Sequence, residues 1–194
     1  VVAGLLFLAF AYFAVGQASM KKNEAQTAAD AAALAVALDA RDEWRWPDAF
    51  DPEEWDDLLS GQPTGSSSCS AGALLAAQND AHQDACGPDV GPETAYIVEV
   101  TTNKTVGSSV IAGTKTKKAS ATARAVIEPR CRIEEDMRPA PRPPKEDDDG
   151  DTGEAEDQKS YKVVCDDEDF SIDPKKLDLL PDLADLFSVH LADK

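Results

Sequence analysis

Apolar and polar positions divide the chain into segments of different kinds. Val1 to Val15 has no charged residue, and Tyr12 is its one polar group. With Gly16 and Gln17 this run reaches the short end of the length a membrane-spanning helix needs. After Met20-Lys21-Lys22 comes AQTAADAAALAVALDARDEW, Ala25 to Trp44, which has no Gly or Pro and is dominated by Ala. Helix propensity there is close to maximal. Ala28, Ala31, Ala32, Ala35 and Leu38 have the spacing of a helical stripe of small residues, while Asp30, Asp39, Arg41 and Asp42 lie elsewhere. Pro47 must end or bend the helix. The pattern predicts one nearly continuous helix from Val1 to about Arg45, on the order of 68 Å long at 1.5 Å per residue. A bilayer core is only about 30 Å thick. The Ala-rich half therefore projects beyond any membrane and packs on a globular body: a spine with a head.

Beyond Pro47 the elements shorten. Asp51 to Leu59 predicts a short helix, with Asp51 as N-cap and Pro52 at its first position. Gly61 to Ser68 reads as a loop. Ser70 to Ala85 predicts another short helix, stopped by Gly87-Pro88. After Pro92 the period changes to two. Tyr96, Val98 and Val100 share one face of a strand over Thr94 to Asn103, and Ile97 and Glu99 the other. Lys104 to Gly113 is a turn or irregular excursion. Lys117 to Pro129 places Ala119, Ala121, Ala123 and Ala125 on one face. Those alanines leave room for something bulky, and a long Ala-rich helix would fit. Ser160 to Cys165 and Leu186 to Ala192 are further strands. Together they predict an antiparallel meander of about four strands. Residues 138–159, rich in Pro and acid, form a solvated excursion between two strands.

Charge and cysteine content narrow the class. The chain of 194 residues carries 19 Lys+Arg against 37 Asp+Glu, a formal net charge of −18. That balance argues against nucleic acid, whose phosphates need basic clusters. Cys69, Cys86, Cys131 and Cys165 are even in number and show no CxxC spacing. Disulfides in an oxidising compartment fit better than a zinc site, which usually places its ligands in close pairs. Three pairings are open. The simplest joins Cys69 to Cys86 across a short helix and Cys131 to Cys165 across a loop. The chain begins at Val1 and not at Met, which reads as a processed or partial chain that keeps its apolar segment.

Candidate chemistry is sparse. His82 and His190 are isolated and define no base or metal site. Asp147, Asp149 and Asp151 alternate, but Thr152 and Gln158 stand where a calcium loop of the EF-hand kind needs Gly and Glu. Asn103-Lys104-Thr105 spells a glycosylation sequon, and Ser108 and Ser109 read as loop polar groups. No phosphate loop, GxSxG or HExxH occurs. The expectation is no enzyme, no metal, no cofactor and no small-molecule substrate.

An apolar N-terminal helix running into AQTAADAAALAVALDAR resembles the TadE/TadG-like proteins of Tad-type (Flp) pilus systems, actinobacterial ones in particular. Gln26 and Ala28 to Ala35 carry the match. The strands around Val98 to Thr101 and Ala119 to Ile127, and PDLADLFSVHLAD near the C-terminus, add to it. The resemblance implies a pilin-like or pseudopilin-like protein of the type IV filament superfamily, with a helical spine and an antiparallel-sheet head. Pilins of that superfamily usually carry Glu at the fifth mature position; here Leu5 stands fifth and the first carboxylate is Glu24.

These readings together give an α+β chain. Residues 1–46 form the helix, and residues 47–194 a disulfide-bonded extracellular head. The expected role is a structural filament subunit. The alternative is a membrane-anchored Tad pilus assembly protein or minor pseudopilin. The assembly surface would comprise Val1, Gly4, Leu5, Leu6, Phe7, Leu8, Phe10, Ala11, Phe13, Ala14 and Val15. The expected partners are other copies of the chain in a helical filament and, before assembly, the cytoplasmic membrane. The assembled protein would stand at the cell surface.

Overall fold

The computed structural model describes residues 2–46, 52–61, 69–105, 116–134, 161–166, 169–172 and 179–192. Nothing from Val2 to Glu43 interrupts helical hydrogen bonding, and the segment is one helix, α1, of 42 residues. Its length is about 63 Å at 1.5 Å per residue. α2 spans Pro52–Leu59 and starts on its proline, whose missing N–H costs nothing at a helix's first position. Gly61, at φ 81°, closes the turn that follows, a conformation glycine adopts without strain. α3 spans Ser70–Gln78.

The main sheet is antiparallel, in the order β1-β2-β3-β7. β1 is Ala81–Asp89, β2 Thr94–Thr102, β3 Ser120–Pro129 and β7 Phe187–Leu191. As the alternation predicts, Tyr96, Val98 and Val100 are buried while Ile97 and Glu99 are exposed. Ala121, Ala123 and Ala125 face inward, and α1 lies across β3 and β2. The long Ala-rich helix thus covers the alanine face. At the end of the β2–β3 pair, buried Thr102 accepts from the Ala119 N–H (3.1 Å) and donates to the Lys104 carbonyl (3.0 Å).

Three expectations are corrected. The predicted helix from Ser70 to Ala85 stops at Gln78, and His82, Gly87 and Pro88 lie in β1. Asp80 takes φ 55°, which turns the chain out of the helix and into register with β2. Pro88 is tolerated because β1 is an edge strand. The single meander is instead two sheets. β4 (Cys131–Ile133), β5 (Tyr161–Cys165) and β6 (Phe170–Ile172) form a second antiparallel sheet. The junction is Arg130, whose N–H donates to the Leu186 carbonyl (2.9 Å) and whose carbonyl accepts from Asp166 (3.1 Å). The helical stripe is also rotated. Ala25, Ala28, Ala29, Ala32, Ala33, Val36, Ala37 and Ala40 are buried, whereas Ala31 and Ala35 are half-buried and Leu38 is exposed.

Cys69 bonds Cys86, tying the start of α3 to the middle of β1. Cys131 bonds Cys165 across the β4–β5 pair, where the two are register partners. Aromatic side chains close the end of the core beyond α1. Trp44 meets Phe187 edge-on with centroids 4.8 Å apart, Trp46 packs on the buried Trp55 at 4.6 Å, and the Trp46 indole donates to the Pro181 carbonyl at 2.9 Å. The acidic segment 138–159, with Asp147, Asp149 and Asp151, lies outside the described residues, as do Ser108 and Ser109.

Candidate functional site

The first half of α1 has the composition of a core helix and the exposure of a surface one. Leu5, Leu6, Phe7, Leu8, Phe10, Phe13 and Val15 are each more than half exposed; Phe7, for example, is 71% exposed. Consecutive residues step by about 100° around a helix. Leu5 to Leu8 therefore put apolar side chains on every side. Gly4 is exposed, Ala11 is half-buried, Ala14 is buried, and Val1 lies outside the described residues. Fully burying each large side chain is worth about 1.5–3 kcal/mol. An apolar surface of this size, interrupted by the Tyr12 hydroxyl, marks a binding or membrane surface. α1 is also the one helix among the described residues long and apolar enough to cross a membrane.

Gly4 and Gly16 sharpen this. A β-carbon at either would meet nothing within 4 Å. Glycine inside a helix costs about 1 kcal/mol relative to alanine. Among the described residues, no contact requires glycine at these two positions.

The exposed half ends abruptly. Met20 is exposed, Lys21 pairs with Glu24, and Lys22 Nζ lies 3.4 Å from the Ser120 carbonyl. From Ala25 onward the sheet covers the helix. The fold brings further lysines to this level. Lys104 follows β2, and exposed Lys117 and Lys118 precede β3. The sequence places Lys104 in a turn over 104–113 and Lys117 and Lys118 at the start of a strand, and neither assignment brings the three to one end of the head. The signal was available in the TKTKK run beside a predicted hairpin.

The residues weighed for chemistry do not converge. His82 sits in β1, with Nδ1 3.1 Å from Asn103 Oδ1 and Nε2 3.2 Å from Asp84 Oδ1. His190, on β7, lies 3.0 Å from Glu128 Oε2. No group of three His, Cys, Asp or Glu among the described residues could hold a metal ion. A cavity of about 570 Å³ opens beside Thr94, Arg124, Glu128 and His190. Its arginine already donates to Asp89 (2.6 Å) and Glu93 (3.1 Å), so the cation is neutralised within the chain.

No curated protein and no solved structure matches this chain. Residues 1–40, the exposed apolar half of α1 and most of its buried Ala-rich half, match the family model of putative Flp pilus-assembly TadE/G-like proteins, and this segment is what the chain shares with that family.

Proposed function

We propose that this chain is a pilin-like structural subunit of an extracellular filament, assembled through the apolar half of α1. The observation that carries the reading is the exposed surface from Val2 to Val15, apolar on all sides and extending beyond the head. Packing among identical helices removes that surface from water, and Gly4 and Gly16 allow such helices to approach closely. A repeated head-to-tail contact that does not close into a ring builds a filament. Before assembly the same half-helix sits in the cytoplasmic membrane. The assembled heads, residues 47–194, face the exterior, where disulfides persist. The subunit works by packing and carries no cofactor, catalytic group, nucleic-acid site or small-molecule substrate. A second reading, a membrane-anchored assembly protein or minor pseudopilin, draws on the length of α1, which suffices to cross a bilayer.

Electron microscopy of material sheared from the cell surface without detergent, probed for this chain, separates the two. Filaments built mainly of this protein are the expected result. Recovery only from detergent-extracted membranes would overturn the subunit reading in favour of the anchor.

A further inference from the structure

The chain's net charge of −18 opposes approach of its head to an anionic surface, yet one end of the head is locally basic. Lys21 and Lys22 lie on α1 where its exposed half ends, and Lys104, Lys117 and Lys118 flank the β2–β3 pair at the same end. The Thr102 N–H bond to the Ala119 carbonyl (2.9 Å) and the pairing of Thr101 with Ser120 hold both flanks there. Lys22, 3.4 Å from the Ser120 carbonyl, ties that end to the helix. Among the described residues, two carboxylates share the site. Glu24 pairs with Lys21, and Asp80 with Lys104 at 2.7 Å, which leaves Lys22, Lys117 and Lys118 as the positive excess. Asp84 and Glu99 stand about 10 Å farther up the sheet, at three residues of strand rise.

We propose that these lysines form a collar that binds the anionic phospholipid headgroups of the leaflet from which α1 emerges. The inference rests on the reading of Val2–Val15 as membrane-inserted before assembly. The charge step favours lipid as the occupant. Val2 to Met20 carries no charged residue and spans about 28 Å at 1.5 Å per residue, a length that a hydrocarbon core of about 30 Å takes up. Lys21 and Lys22, the first charges after that run, stand at headgroup height where it leaves the core. The collar gives the acidic head a seat on the membrane and fixes the depth of the helix.

The test uses the full chain in vesicles of phosphatidylcholine alone or mixed with phosphatidylglycerol. Acylation of each lysine by an amine reagent is followed by mass spectrometry. Lys22, Lys117 and Lys118 should react about fivefold more slowly on the anionic vesicles, the factor equivalent to ~1 kcal/mol per lysine at such a surface. High salt should restore their rates. Lys162 on β5, remote from the collar, serves as the reference and should be unchanged. Lys117→Glu with Lys118→Glu, both exposed and outside the strands, should remove the protection of Lys22. Equal labelling on both vesicles, with the chain still floating with lipid, overturns the collar and leaves the membrane reading intact. A chain that floats with neither vesicle overturns both. Protection that ignores lipid charge and rises with protein density reassigns the lysines to the acidic surface of a second copy, and also overturns the proposal.

Discussion

Gly72 sits where α3 meets α1. A β-carbon there would lie 2.6 Å from both Val36 Cγ2 and Gln83 Oε1, and 3.2 Å from the Ala32 carbonyl oxygen. Side-chain ends can shift, but the carbonyl belongs to the helix spine. Gly72→Val should therefore destabilise the head by about 2–3 kcal/mol, read as a lowered urea midpoint at unchanged slope. Gly72→Ala should cost less, because alanine recovers about 1 kcal/mol of helix propensity. Gly87, with nothing within 4 Å, is the control and should tolerate alanine. A second test concerns Asp80. Its carboxyl titrates below its ordinary 3.8, first because Lys104 donates a hydrogen bond to it and then because of that lysine's charge. The same bond holds Lys104 above its ordinary 10.5. The contribution of Asp80 to stability is thus present above pH 3.8 and lost as pH falls through its lowered value. That of Lys104 is present below pH 10.5 and lost as pH rises through its raised value. Both groups are exposed, so solvent screens the pair. Lys104→Met should return the Asp80 carboxyl toward 3.8, followed by carbon NMR of its side chain. An unmoved titration would show that the pair does not form.

At the scale of elements, Gly4→Leu discriminates between a helix buried in its own kind and one buried in lipid. Leucine adds apolar surface and helix propensity, so insertion into vesicles should be kept or improved. Close approach of helix to helix needs the small residue, so filament yield should fall sharply. A variant that still yields filaments, counted by electron microscopy, would remove Gly4 from the packed seam. The head should be indifferent, because a β-carbon at this position meets nothing within 4 Å among the described residues. The elements themselves were unequally legible. α1 could be read because nothing from Gln17 to Trp46 breaks a helix, and β2 because Tyr96, Val98 and Val100 alternate with exposed residues. The alanines of β3 even identified their partner. The phase of the helical stripe was not legible, since in an Ala-rich helix most positions are equally small and periodicity has little contrast. Leu38 ended up exposed and alanines in the contact, because a helix close against an alanine-faced sheet leaves no room for leucine. AHQDA has the composition of a helix, and it becomes strand because Asp80 reverses the chain and β2 offers an edge. β4, three residues long, is too short to show a period and is set by pairing with β5, 34 residues away in sequence at the disulfide.

At the scale of the whole molecule, charge and apolar surface act against each other. In the proposed filament, burying the exposed half of α1 would draw copies together, while heads on chains of net charge −18 would repel at the same spacing. The repulsion reaches about 30 Å at 0.01 M salt and about 8 Å at 0.15 M. The attraction is non-directional and is not screened at these concentrations. Raising salt over that range should therefore increase the fraction of full-length chain that sediments as assembled material. The same salt weakens any hold of Lys22, Lys117 and Lys118 on anionic lipid. For the proposed subunit, both effects would favour transfer from bilayer to filament, which would give the lysine-ringed end and the acidic remainder complementary roles in one step. Sedimentation from mild detergent at a series of sodium chloride concentrations checks the sign. Assembly that decreases with salt would mean that the heads attract one another through complementary charges, and that the lysine-rich end of one copy faces the carboxylates of the next.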